Sequence, residues 1–276
     1  VLKARAIGVR DWTARQYRVM VPSPKTPDPT MILTGNTIFI TGGGSGIGRA
    51  LAEELHGRGN RVIISGRRKG HLDEVARVNP GIETVALDIQ DPASIAAAAA
   101  LVTSKYPDLN VLINNAGVMH HDDPSAPMDE DLLVSTVTTN LLGPIRMTSA
   151  LIAHLKARKS ATIINVSSGL AFVPLAGASV YSSTKAAIHS YTMSLRYRLR
   201  GTSVRVLEIA PPWVQTDLLN SKSEPRAMPL AAFIEETVAV LGSDAEEVLV
   251  NRVRVLRNNP GPAEAAFVTQ FNEMLG

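Results

Sequence analysis

With 276 residues, 45% hydrophobic and 19% charged, the chain has the composition of an ordinary globular protein with apolar material for a sizeable core, which excludes disorder along its whole length. Its longest apolar run, residues 95–102, is far short of the roughly 20 residues needed to span a bilayer, and the absence of cysteine rules out disulfides, thiol nucleophiles and thiolate metal sites. The formal charge of +3 is uneven: residues 1–30 hold six basic and two acidic groups, leaving 22 basic and 23 acidic groups beyond them, and 4% aromatics do not make the basic, base-stacking face of a nucleic-acid binder. These properties predict a soluble, cytoplasmic protein with neither a nucleic-acid nor a membrane partner.

In chain order, residues 21–30 carry four prolines in ten positions, which block helix and sheet pairing and mark a boundary. Residues 1–30 read as an extension or linker, and 31–276 as the folded unit. From residue 37 short β-branched runs alternate with longer helical stretches, the pattern of βαβ units. Strands are expected at 37–41, 61–65, 83–87, 110–113, 162–166, 204–209 and 247–251. Helices are expected at 46–58, 68–78, 91–105, 129–157, 179–200, 230–242 and 262–274. Near-continuous apolar strands such as VIIS and TIINV require cover on both faces. The predicted fold class is α/β, a single doubly wound parallel sheet of Rossmann type with a short C-terminal extension and a ligand at the carboxyl ends of its strands.

The first strand runs into Thr41-Gly42-Gly43-Gly44-Ser45-Gly46-Ile47-Gly48, where a helix opens. Glycines at such a turn accept positive φ and let a pyrophosphate approach the amides of the helix N-terminus. A flexible turn without a ligand is the alternative. The spacing is neither the strict G-x-G-x-x-G nor a P-loop. Twenty residues past Gly46, where an acid would bind the ribose 2′-hydroxyl of NAD, the chain instead reads Gly66, Arg67, Arg68, Lys69. A guanidinium grips a 2′-phosphate that a carboxylate would repel, so NADP(H) is favoured over NAD(H).

Tyr181 and Lys185 lie at i and i+4, neighbours on one helical face, where an ammonium favours the phenolate and makes the pair a usable proton donor and acceptor. Ser167 and Ser168 follow the fifth strand at the end where a substrate should lie. Either could orient a carbonyl or serve as a turn residue. His120, His121, Asp122 and Asp123 share a loop with Pro124 and Pro127, where adjacent residues do not converge on one ion; they are expected to be solvated, and no metal site is expected.

Taken together, TGGGSGIG at 41–48, Asp88, NNAG at 114–117, Asn140 within TTNLLGP, Ser168, YSSTK at 181–185, and Pro211 followed by Thr216 resemble the short-chain dehydrogenase/reductase family over residues 35–217. Phrases such as VSSGLAFVPLAG and APPWVQTD are similar to its DltE-like subgroup. The family places its serine thirteen residues before the tyrosine, which selects Ser168. The resemblance implies hydride transfer between a carbonyl or alcohol carbon and nicotinamide, with Tyr181 moving the proton. Lys185 would hold the nicotinamide ribose and lower the Tyr181 pKa, Ser168 would position the substrate oxygen, and Asn140 would hold a relay water. It further implies Gly42, Ser45, Gly46, Ile47 and Gly48 at the pyrophosphate, Asp88 and Ile89 at the adenine, Asn115, Ala116 and Gly117 along the adenosine side, Pro211 beside the nicotinamide, and Thr216 at the carboxamide or phosphate. Asn114 has the alternative of simply tying strands together. A small-molecule substrate and a homodimer or homotetramer are also implied. A cofactor-binding scaffold without turnover is the alternative function.

The chain departs from the family pattern in two places. Pro211-Pro212 replaces the common Pro-Gly, and the stretch 218–229, where a substrate lid is expected, is short. Phe172, Val173, Leu175, Trp213, Leu218 and Leu219 suggest apolar substrate walls, with core packing as the alternative for the residues at 172–175.

Overall fold

The computed structural model describes residues 30–259 and 261–275. Most of the predicted 1–30 extension lies outside the described residues. Seven parallel strands form one sheet in the order β3-β2-β1-β4-β5-β6-β7. They are β1 Thr37–Thr41, β2 Arg61–Gly66, β3 Glu83–Ala86, β4 Leu109–Asn114, β5 Ala161–Val166, β6 Val204–Ile209 and β7 Glu247–Val248. The order reverses direction between β1 and β4, opening a crevice at their carboxyl ends where an α/β sheet takes its ligand.

Helices α1 Gly46–Gly57, α2 Lys69–Val78, α3 Pro92–Lys105, α4 Glu130–Val137, α5 Gly143–Lys156, α6 Ser179–Leu199, α7 Leu230–Leu241, α8 Asn251–Arg257 and α9 Glu264–Leu275 connect and flank the strands. Successive strand residues point to opposite faces, so the core divides in two. Ile38, Ile40, Val62, Ile64, Val111, Ile113, Leu207 and Ile209 pack with Leu51 and Leu55 of α1, Leu72 of α2 and Phe233 of α7. Phe39, Ile63, Leu112, Ile163 and Val206 pack on the other face with Ile95 and Val102 of α3, Met147 and Leu151 of α5, and Leu199 of α6. This is the doubly wound arrangement that the apolar strands demanded. No helix among the described residues is long and apolar enough to cross a membrane.

Two elements differ from expectation. The continuous helix expected over 129–157 is interrupted by a π-helical turn, Thr138–Leu142. Pro144 has no N–H, so the carbonyl of Asn140, four residues back, lacks its α-helical donor and the ladder widens. The strand expected over 247–251 pairs only at Glu208↔Glu247 and Ile209↔Val248, because β6 ends there. Asn251 instead opens α8, a helix the pattern did not announce.

Candidate active site

The glycine turn is shaped first by the protein's own packing. Gly42 has φ +70° and Gly46 φ +54°, in the left-handed region. A Cβ on Gly42 would lie 2.8 Å from Ala116 Cα, and one on Gly48 only 2.3 Å from Asn115 Nδ2. Asn115 donates to the carbonyls of Thr41 at 3.0 Å and Gly42 at 3.2 Å. The Thr41 hydroxyl accepts the N–H groups of Asn115 and Ala116 at 3.0 and 3.1 Å. The turn is thus fixed to the end of β4, a role for Thr41 that sequence reasoning missed.

What the packing does not use is the helix start. Ser45, the N-cap of α1, makes no side-chain cap bond, and the first turn contains no acid. The leading amides and the positive end of the helix dipole are therefore available to an anion. Thr216 lies across from them, 3.5 Å from where a Gly46 Cβ would stand. Arg67 and Arg68 are both exposed at the carboxyl end of β2, but it is Arg68, which sequence reasoning did not single out, that donates to Ser45 Oγ at 3.0 Å. Asp88 accepts the N–H of Gln90 at 3.0 Å, and Ile89 is buried against Gly143. The Pro211 carbonyl accepts the N–H of Gly169 at 2.8 Å, fixing the start of the segment after β5.

The second cluster gathers where β5 meets α6. Tyr181 and Lys185 are 8% and 4% exposed, and Ser168, also 8% exposed, stands beside the phenol. The Ser168 oxygen accepts the N–H of Leu170 at 3.1 Å, which leaves its proton free to donate to the Tyr181 hydroxyl. Lys185 Nζ donates to the Val166 carbonyl at 2.9 Å and lies 5.4 Å from the Tyr181 ring centre. A Cβ on Gly117 would approach Asn140 Oδ1 to 3.4 Å and Lys185 Nζ to 3.7 Å, so segment 115–117 passes beside this cluster. Both ends of the Asn140 amide are engaged: Oδ1 accepts from Val118 N at 2.9 Å, and Nδ2 donates to Val118 O at 2.8 Å. Asn114 ties strands as its alternative reading held, donating to Asn165 at 2.9 Å and Thr148 at 3.0 Å.

One electrostatic expectation is reversed. Burial is the dominant influence on Tyr181 and pushes its phenol up to about 12, with the Ser168 hydroxyl pulling weakly the other way. Lys185 Nζ lies over the ring and is not among the influences on the phenol. Burial brings Lys185 itself down to about 8, opposed by the charge of Glu208.

Within the 120–123 loop His121 and Asp123 are exposed as expected, and Asp122 alone departs from the expectation. Asp122 accepts the Ser179 N–H at 2.8 Å and hydroxyl at 2.6 Å, and the Val180 N–H at 3.0 Å, so it caps α6 from a distant loop. Of the proposed apolar walls, Val173 is buried, and Phe172 meets His189 edge-on at 5.1 Å between ring centres. Trp213 and Leu218 remain exposed. The short stretch Leu218–Ser223 contains Leu219 and Asn220 at φ 53° and 52°, a strained left-handed pair.

A reversal crevice flanked by an open helix start is the place where Rossmann-type folds bind a dinucleotide, and a buried tyrosine–lysine pair stands where β5 meets α6. Residues 36–227 match the family model of the short chain dehydrogenases. The chain is 39% identical over 236 residues to the uncharacterized oxidoreductase DltE of Bacillus subtilis (strain 168), covering 83% of this chain and 93% of that one. It is 33% identical over 191 residues to an NADP-dependent 3-hydroxy acid dehydrogenase of Schizosaccharomyces pombe, covering 67% and 74%. A short chain dehydrogenase from Burkholderia cenocepacia J2315, solved in complex with NADP, superposes with a TM-score of 0.77 at 27% identity, covering 87% of this chain and 98% of that one. The chain belongs to the short chain dehydrogenase family of oxidoreductases.

Proposed function

We propose that this protein is an NADP(H)-dependent oxidoreductase that interconverts a carbonyl and an alcohol on a small molecule, with Tyr181 as the acid/base. The observation that carries this reading is the buried phenol of Tyr181, with the Ser168 hydroxyl beside it and Lys185 one helical turn along α6. The residues suit the cofactor: the uncapped start of α1 offers amides to a pyrophosphate, Gly42, Ser45, Gly46, Ile47 and Gly48 shape that start, and Thr216 closes it from the opposite side. Asp88, Ile89 and Asn115 to Gly117 line the adenosine side, and Arg67 takes the 2′-phosphate while Arg68 braces Ser45. When bound, the nicotinamide supplies or accepts the hydride.

The chain's own residues handle the proton. With its acidity suppressed by burial, Tyr181 is a neutral phenol at physiological pH and donates to the oxygen of a carbonyl during reduction. Ser168 holds that oxygen, and Lys185 anchors the ribose. The Asn140 amide is spent on Val118, so Asn140 takes part in the proton relay through its backbone carbonyl rather than its side chain. Leu132, Val134 and Leu142 around α4, with Met193 and Tyr197 on α6, are exposed apolar side chains that support self-association.

The test is a titration with NADPH and, separately, NADH, followed by a screen of aldehydes and ketones with the cofactor that binds. Tighter NADPH binding and turnover that disappears in Tyr181→Phe are expected. Absence of binding by either nucleotide at millimolar concentration overturns the reading.

A further inference from the structure

Lys185 and Glu208 are the charged side chains buried in the interior among the described residues. Alternation along β6 turns Glu208 toward α6, where Tyr181, Lys185 and His189 recur every four residues and line one helical face. Both carboxylate oxygens of Glu208 are held. Ser167 Oγ donates to Oε1, and His189 Nδ1 donates to Oε2 at 2.8 Å. The anchor of the lysine is the carbonyl of Val166, immediately before Ser167 in the chain. The residue that clamps Glu208 and the residue that anchors Lys185 are therefore consecutive at the end of β5.

The surroundings keep this pair dry. Glu247 on β7 stands in register beside Glu208 but is held by Arg257 of α8 at 2.7 Å, with Arg196 of α6 also acting on it. Phe172 covers the imidazole edge, and Arg257 lies 5.2 Å from the centre of its ring. A carboxylate buried with only a hydroxyl and an imidazole as direct partners is costly to keep out of water. A neutral side chain of similar size would hold β6 as well without that cost, so the charge itself needs an object. Lys185 provides one.

We propose that Glu208 is a positioning residue for Lys185: clamped by Ser167 and His189, its carboxylate keeps the lysine an ammonium anchored on Val166. The inference rests on the reading of Lys185 as part of the reaction machinery. Burial drives the ammonium toward its neutral form, and Glu208 is the charge that opposes it. A neutral lysine would lose its grip on ribose hydroxyls as a charged donor.

The direct test is an NMR pH titration of the full chain carrying ε-13C lysine, with the Lys185 signal assigned by its absence in Lys185→Met. In Glu208→Gln the Lys185 midpoint should fall by about one pH unit, and Glu208→Asp, which retains the charge, should restore most of it. A midpoint that stays in place in Glu208→Gln overturns the inference, as does a midpoint that falls as far in Glu208→Asp as in Glu208→Gln, because a retained carboxylate would then do nothing for the lysine. Should Glu208→Gln fail to fold, Ser167→Ala, which removes one of the two donors that clamp the carboxylate, should lower the midpoint. An unmoved midpoint there is equally fatal. NADPH titration of the same samples separates the two proposals: a fixed midpoint with normal NADPH binding removes only the role of Glu208, whereas a moving midpoint in a wild-type protein that binds no NADPH removes the cofactor reading.

Discussion

The two halves of the crevice do their work by opposite physical means. Around β1 and α1 the protein uses backbone: glycines packed to contact, amides at a helix start, and exposed arginines near water. Around β5, α6 and β6 it uses ionisable side chains taken out of water, and two of them titrate far from their ordinary values. A backbone cradle is sensitive to volume and insensitive to pH. A buried polar cluster costs stability and responds to every charge near it.

The sharpest break of this contrast is Tyr181→Phe, which removes one oxygen from the dry half and leaves the cradle intact. Turnover should drop by about 100- to 10,000-fold, while NADPH affinity stays within a factor of two or so in a fluorescence titration, since the proposed role of the lost group is to donate a proton rather than to anchor the cofactor. In the wild type, alcohol oxidation needs the phenolate and should accelerate as pH rises toward 10, because the phenol is pushed up to about 12. A flat oxidation profile from pH 7 to 10 would show that another base does the work.

Lys185→Met tests the cost of the dry half. The lysine is brought down from its ordinary 10.5 to about 8, so below about pH 8 its charge opposes folding, and the penalty fades as pH rises from 8 to 10.5. The variant should be more stable at pH 7 by on the order of 3 kcal/mol, visible as a higher Tm, and the gain should shrink across that same pH window. A lower Tm at pH 7 would mean that the bond to Val166 outweighs desolvation.

In the cradle the expected effects are smaller and independent of pH. Gly48→Ala puts a Cβ 2.3 Å from Asn115 Nδ2 and 2.4 Å from the Gly42 carbonyl, so the turn must shift; a loss of roughly 1–3 kcal/mol in denaturant unfolding and weaker binding of both nucleotides should follow. Smallest is the arginine pair. Arg67→Ala should weaken NADPH about tenfold and NADH hardly at all, as expected for one charge-assisted contact, whereas Arg68→Ala, which frees Ser45, should weaken both alike. Equal losses from Arg67→Ala would move the 2′-phosphate contact elsewhere.

Much of this protein was legible in one dimension. Alternation of apolar strands with helices of 3.6-residue period announced the doubly wound sheet, the glycine turn announced the open helix start, and a four-residue interval put Tyr181 and Lys185 on one face, because each of these signals is local in the chain. Only the tertiary structure decided which groups meet across long separations: Asp122 capping α6 rather than standing in water, Arg68 rather than Arg67 reaching Ser45, and Ser167, His189 and Glu208 closing behind the lysine. The lone acid in the apolar strand VRVLEI was a readable anomaly, but its partners were not. The direction of the Tyr181 shift was hidden for the same reason. Spacing places an ammonium near a phenol, yet the pKa follows from how much water the surrounding packing removes, and burial is a property of the whole fold.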